Sequence, residues 1–511
     1  MSLLALPPAW SLQPFERALS VLELQTLTGR NARWTDGAII VDGPITSAIT
    51  QRVRRRAALT HVVRTATVEH PTVQRELEMS ADSGRRKVTS HALHGLHAYK
   101  GKFYPQLARA ALNAAGVGAG GRVFDPFAGC GTTVLEAALL GLEGHGLDAN
   151  PLAVLVSQAK LTMLSCDPDE LSERLEVLRR PPTTEGPVGD PAYLEEWLPP
   201  RNYAHLGRLL AGIGRLVDES TRRIALVIVS SVLRDASRQD PRQLRVGRRS
   251  ACDDIPSLDV LVRKALDQSL ETLAATRSIA DINWDGIGRA QRRVRLGDAR
   301  RPCETPTGKR MAGSFDAVVT SPPYANALPY IDTDRLSLRA FGMLRDGGQR
   351  AAEQRLIGNR EINTGTLRTL NSQVGEVLSG SIQLPEALRA ILTAARLAAM
   401  EPTAGFRRQR TAGLLWAYFR DMSCVLRETA HLLKPGAPAV FVVGDSTITG
   451  PDNDTTEVPT TDILIELAAG HGLEVESDLG KKLTSFGASS TVHQRNAMEN
   501  ERVVIFRRRA G

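Results

Sequence analysis

Long apolar runs are missing from this 511-residue chain. The longest, around Ile224–Val232, reaches about half of the ~18 residues that a membrane span requires, so no membrane attachment is expected. Cysteine is scarce: Cys130, Cys166, Cys252, Cys303 and Cys424 lie far apart, and no CxxC pair occurs. That spacing excludes a disulfide framework and a cysteine-based zinc site, and it fits a reducing cytoplasm. No basic stretch precedes the apolar residues of Met1–Leu12, and two prolines interrupt them, which is unlike a secretory signal. Lysine is rare as well, with nine among 64 basic residues. Such an arginine bias is also what a GC-rich genome produces. What is present suffices for a folded chain, since 42% of residues are hydrophobic and 23% charged, and this excludes wholesale disorder. The net charge of +8 permits a polyanionic partner without requiring one.

From Leu107 the sequence alternates helix and strand signals: Leu107–Ala115 helical, Arg122–Phe124 extended, Thr132–Leu140 helical, Glu143–Leu147 extended. This alternation predicts a parallel sheet with helices on its faces. It is interrupted from about 165 to 285, resumes at Val294–Leu296 and Phe315–Thr320, breaks again from about 341 to 410, and returns at Leu414–Leu433 and Ala439–Val443. The expected organisation is an N-terminal extension (1–90), a cofactor-binding half (91–164), a helical insertion (165–285), a catalytic-loop segment (286–340), a second insertion suited to target recognition (341–410) and a C-terminal part (411–511).

Within Val123–Asp148 a strand ends, a glycine turn follows at Gly129 and Gly131, and a helix opens near Thr132. Glycines serve where backbone approaches a ligand closely or adopts positive φ, and the helix start offers unpaired N–H groups to an anionic or polar ligand. Asp148 ends the next strand, where a carboxylate can accept hydrogen bonds from ribose hydroxyls. The spacing is neither the dinucleotide GxGxxG nor a P-loop. Farther on, Ala317–Val319 reads as a buried strand stopped by Pro322-Pro323, which leaves Ser321 and Tyr324 on a stiff loop at a strand's carboxyl end.

The string Asp125-Pro126-Phe127-Ala128-Gly129-Cys130-Gly131-Thr132 resembles the S-adenosylmethionine motif of DNA amino-methyltransferases, and Ser321-Pro322-Pro323-Tyr324 resembles their catalytic motif. The resemblance implies an α/β class I (Rossmann-like) methyltransferase sheet closed by a C-terminal antiparallel hairpin and carrying two partly helical insertions. By the same resemblance Asp125, Phe127, Gly129 and Gly131 border the methionine part of S-adenosylmethionine, Thr132 opens the helix, Asp148 takes the ribose, and Asp298 meets the adenine amine. Phe103, in the segment His97–Leu107, packs over the cofactor. The Ser321 hydroxyl and Pro322 carbonyl hold the acceptor amine, Pro323 stiffens the loop, and Tyr324 stacks on the flipped base. Ser at the first motif position goes most often with cytosine N4, and Asp or Asn with adenine N6. The motif order, cofactor site before catalytic loop, departs from that of many N4-cytosine enzymes and weakens the transfer of base identity.

The reading is therefore a site-specific enzyme that methylates an exocyclic amine in duplex DNA, cytosine N4 before adenine N6. Its rivals are an RNA base methyltransferase and a non-catalytic nucleic-acid-binding subunit, and a separate restriction or defence partner is compatible with it. Arg245, Arg248 and Arg249 in the first insertion and Arg368, Arg407 and Arg408 in the second are the residues expected on phosphates. His91, His94 and His97 follow one another at three-residue spacing, but no nearby cysteine or carboxylate completes a ligand set, so no metal is expected.

Overall fold

A computed structural model describes residues 3–66, 68–81, 87–243, 246–249, 254–282, 284, 293–302, 311–325, 330–344, 348–380, 382–402, 404–449, 454–480 and 501–510. Arg245, Cys252 and Cys303 lie outside them. The chain forms two compact units, one of Met1–Leu12, Ser20–Leu296 and Tyr330–Gln349, the other of Gln13–Leu19, Gly297–Pro329 and Arg350–Gly511.

The first unit opens with an antiparallel sheet of β1 (Leu3–Leu6), β2 (Ala32–Thr35), β3 (Ala38–Val41), β4 (Val62–Arg64) and β5 (Glu69–Pro71), in the order β2-β3-β1-β4-β5. Asp36 (φ 48°) and Gly37 (φ 79°) turn β2 into β3; both residues have positive φ, as the tightest hairpins demand. Leu3, Ala5, Leu24, Ile39, Val41 and Val63 bury the inner face. This sheet is anchored by the buried Glu23, whose carboxylate accepts from the Ala58 N–H (2.8 Å) and from Asn113 Nδ2 (2.8 Å) on the helix Pro105–Ala114.

Next come the parallel strands β6 (Arg122–Asp125), β7 (Glu143–Asp148) and β8 (Val294–Leu296), with the helices Thr132–Leu139 and Pro151–Leu164 between them. Gly144 and Gly146 on β7 permit close packing. A Cβ at Gly146 would stand 2.8 Å from the Ala128 methyl, and one at Gly144 3.1 Å from Val134 backbone. A helical layer follows, in which Glu219–Leu233 packs on Pro151–Leu164 and on Leu258–Arg277. The helix Tyr330–Ala340 joins this unit through an Arg339–Asp190 ion pair, Gly189 N–H to Ala340 O (2.9 Å) and Ser230 Oγ–Ser337 Oγ (2.7 Å).

In the second unit β9 (Ala317–Thr320) runs parallel to β10 (Pro438–Gly444). A small hairpin of β11 (Ser446–Thr449) and β12 (Thr455–Val458) follows. Then β13 (Leu473–Leu479) and β14 (Glu501–Arg508) pair antiparallel, and β14 lies antiparallel to β10. The terminal hairpin expected from the sequence is thus present. The helix before β10 runs over Phe406–Leu432, eight residues earlier than the sequence pattern places its start, so the boundary set at 410 falls inside it. Gly413 does not break this helix, because its bare face receives Asn371 and Leu370 of the helix Thr364–Leu378; a Cβ there would lie 2.7 Å from Asn371 Oδ1. Among the described residues no helix is long and apolar enough to cross a membrane.

Candidate active site

In the first unit the loop after β6 doubles back sharply. Asp125 is buried and its Oδ1 accepts the Phe127 N–H at 3.0 Å. Gly129 (φ 50°) and Gly131 (φ 84°) take the left-handed conformation, and Gly131 caps the helix that begins at Thr132 without a capping side chain. Its first N–H groups have no side-chain acceptor from the cap, the state in which a helix start receives a ligand's carboxylate. The next helix packs hard against this turn: a Cβ on Gly131 would meet Ser157 Oγ at 2.1 Å. One turn farther along, the fully buried Lys160 donates to the Cys130 carbonyl (3.0 Å) and fixes the loop from behind.

Asp148, at the end of β7, accepts the Gly129 N–H on Oδ2 and the Asn150 N–H on Oδ1, both at 2.8 Å. Burial raises its carboxyl to about 6 against these backbone donors. Asn150 caps the helix Pro151–Leu164 through its Oδ1, and its Nδ2 donates to Asp334 Oδ2 at 2.7 Å and to Tyr99 Oη at 3.4 Å. The Tyr99 ring lies 3.6 Å from where a Gly129 Cβ would stand, so it sits against the glycine turn. Phe103 is half-buried just before the helix Pro105–Ala114. A glycine turn, an uncapped helix start, buried carboxylates and an aromatic wall fit a cofactor that joins a nucleoside to an amino acid. Asp334 and Lys160 escaped the sequence reading; both belong to helices whose periodicity is ordinary, and only packing brings them to the turn.

The second unit carries Asp298 and the Ser321–Tyr324 loop. Asp298 is committed to Arg300: Arg300 Nε donates to both carboxylate oxygens (2.9 and 3.1 Å), and Nη2 donates to Oδ2 (2.7 Å). Burial opposes ionisation of Asp298, yet Arg300 holds its carboxyl below the usual range. An adenine amine would therefore have to share an acceptor already paired with Arg300, whose other end reaches Asp421 (2.8 Å). The catalytic-type loop leaves the buried strand β9. Pro322 is buried and Ser321, Pro323 and Tyr324 are half-exposed. The Pro323 carbonyl accepts from Tyr418 Oη at 2.9 Å, and Tyr324 Oη donates to Glu501 Oε1 at 3.0 Å. Gly444 makes room for the Tyr324 ring, since a Cβ there would stand 2.7 Å from Cε1.

The arginines divide into two groups. Arg248 pairs with Glu196 (2.8 Å) and lies over Trp197; Arg249 donates to the carbonyls of Gln239 (3.0 Å) and Asp235 (2.7 Å); Arg408 pairs with Glu401 (2.6 Å). Arg249 and Arg408 are half-buried and hold their own segments together, whereas Arg248 remains exposed beside its pair. Arg368 and Arg407 are exposed. Gln373 in the second insertion accepts from Trp416 Nε1 at 3.0 Å.

The histidine pattern also reads differently. A carboxylate does reach it: Glu136 Oε1 lies 2.8 Å from His94 Nε2 and 3.5 Å from His91 Nε2, all three side chains buried. His97 turns instead to Ser230 Oγ (2.9 Å). The other Glu136 oxygen takes Arg109 Nε at 2.7 Å. Burial works to raise Glu136, but Arg109 and the two histidines hold it well below the usual carboxylate range. Burial drives His94 down to about 3, so it stays neutral. The guanidinium thus already supplies the countercharge of this carboxylate.

Residues 96–151, the stretch that contains the glycine turn and Asp148, match the family described as UPF0020: RMKL-like, methyltransferase domain. The chain is 34% identical over 84 residues to the Type II methyltransferase M.MjaII of Methanocaldococcus jannaschii, a match covering 16% of each chain. It is 23% identical over 359 residues to the Type II methyltransferase M.AvaI of a Nostoc species, covering 64% of this chain and 68% of that one. A 50-residue stretch, 10% of this chain and 15% of the relative, is 46% identical to the tRNA (guanine(10)-N2)-dimethyltransferase of Methanothermobacter thermautotrophicus. Over these stretches the chain is similar to Type II methyltransferases, and its described elements are the mixed α/β set with parallel strands and a terminal antiparallel hairpin expected from the sequence.

Proposed function

We propose that the protein transfers a methyl group from S-adenosylmethionine to an exocyclic amine of a DNA base, cytosine N4 in preference to adenine N6. The observation that carries this reading is the Ser-Pro-Pro-Tyr loop on the carboxyl end of β9, pinned at Pro323 by Tyr418 and at Tyr324 by Glu501. S-adenosylmethionine, when bound, supplies an electrophilic methyl group on a sulfonium. In the first unit, Asp125, Phe127, Gly129, Gly131, Thr132 and Asp148 would hold it, with Phe103 beside them.

The acceptor nitrogen is a poor nucleophile because its lone pair is delocalised into the base. The Ser321 hydroxyl and the Pro322 carbonyl accept its two N–H hydrogens and draw it toward a tetrahedral shape. That frees the lone pair for the methyl carbon; the new N–C bond would form as the methyl–sulfur bond breaks, with S-adenosylhomocysteine as the leaving group, and the methylated amine gives its extra proton to solvent water. Such catalysis works only if the acceptors do not move, which is what the Tyr418 and Glu501 anchors provide. Tyr324 offers a ring face to a base taken out of its stack. Exposed Arg368 and Arg407 would contribute affinity for phosphates, and a cognate restriction nuclease would be a natural partner.

The short tRNA-methyltransferase likeness supports a second reading, in which the same loop acts on an RNA base. Ser321→Ala tests the mechanism: methyl transfer should fall by about 10²-fold or more while S-adenosylmethionine affinity stays within about twofold. Unchanged transfer in the variant would remove Ser321 from the chemistry.

A further inference from the structure

We propose that Asp334 is a cofactor-binding residue which, beside Asp148, receives the positive charge carried by the amino-acid half of S-adenosylmethionine. The inference rests on the cofactor assignment above and adds a residue to that site. Asp334 lies 184 residues from Asn150 in the chain, yet Asn150 Nδ2 donates to its Oδ2 at 2.7 Å. Asn150 also gives its backbone N–H to Asp148 and its Nδ2 to Tyr99, the ring that lies against Gly129. Asp334 is therefore tied at once to the ribose acid and to the glycine turn on the methionine side. That is the stretch of the site where a sulfonium or an α-ammonium would fall.

The chemistry of the pair points the same way. Asp334 is 8% exposed, and neither it nor Asp148 makes an ion pair among the described residues. Burial, and then the charge of Asp148, raises Asp334 to about 7. The charge of Arg234 offsets part of the cost of ionising Asp334 without forming an ion pair with it, and a cationic ligand beside the buried Asp334 and the half-buried Asp148 would offset the remainder. A purely structural role would be served as well by an amide, which makes the same bond to Asn150 without the charge penalty. The adjoining Asp332 illustrates the contrast, since it is paired with Arg335 on its own helix.

The test is calorimetric binding by wild type, Asp334→Asn and the control Asp332→Asn. The ligands are S-adenosylmethionine, with sulfonium and ammonium; S-adenosylhomocysteine, with ammonium only; and 5′-methylthioadenosine, with neither. Asp334→Asn should weaken S-adenosylmethionine by about tenfold or more and leave methylthioadenosine within about twofold. Loss for S-adenosylhomocysteine as well identifies the ammonium, and its sparing identifies the sulfonium. Equal loss for all three ligands, or loss for none, overturns the role of Asp334 while wild-type binding keeps the cofactor assignment. A wild type that binds none of them overturns both. Thermal melting reports whether Asp334→Asn is folded, and Asp334→Ser read with the same ligands replaces it if it is not.

Discussion

At the scale of single residues, the account depends on side chains whose charge or hydrogen bonding is constrained by burial. Asp334 makes a prediction that needs no ligand. Its carboxyl, raised to about 7 in the folded protein, keeps a proton that the unfolded chain releases near 4. Between those values the unfolded state binds fewer protons, so Asp334 makes the cofactor-free protein less stable as pH rises through the window. The melting temperature of Asp334→Asn relative to wild type should therefore climb from pH 5 to pH 8; a constant difference would contradict the assigned shift. The tyrosine anchor of the loop is open to a similar measurement. Tyr324→Phe removes the bond to Glu501 at a cost of about 1 kcal/mol in unfolding free energy, with methyl transfer reduced because the loop loses a fixed point. Unaltered stability and transfer would show that the anchor is dispensable.

At the scale of elements, the decisive feature is the turn between β6 and the helix that starts at Thr132. Its tightness has two causes, the left-handed backbone at Gly131 and the approach of Ser157 from the next helix. Gly131→Ala should destabilise the protein by about 2 kcal/mol or more and abolish cofactor binding, and Ser157→Gly should restore part of the stability but not the backbone strain. Full recovery in the double variant would place the whole cost in the side-chain clash. This turn was legible in the sequence because strand, glycines and helix start are contiguous, as are β9 and the Ser-Pro-Pro-Tyr loop. The N-terminal sheet was less so: its strands are three or four residues long, too short for an alternating pattern to mark them. Asp334 and Lys160 were not legible at all, since nothing local marks a helical residue that reaches a loop far away in the chain.

At the scale of the whole molecule, a net charge of +8 permits a nucleic-acid partner, but the total does not say which arginines face outward. Arg249 and Arg408 are half-buried and serve as struts, whereas Arg368 and Arg407 are exposed, as is Arg248 despite its surface pair with Glu196. If Arg368 and Arg407 contact phosphate, Arg407→Ala should weaken DNA binding about equally across sequences and lower the slope of log affinity against log salt by about 1. An unchanged slope would remove Arg407 from the interface.

The central claim, methyl transfer to an exocyclic amine of DNA, is tested most directly by product identity. The purified protein is incubated with S-adenosylmethionine labelled in the methyl group and unmodified DNA or RNA, followed by digestion to nucleosides and mass spectrometry. The account predicts labelled N4-methylcytosine from DNA. N6-methyladenine would retain the mechanism and overturn the base preference, and label confined to RNA would transfer it to the other nucleic acid. No labelled nucleoside from either, with the cofactor bound, would contradict the account.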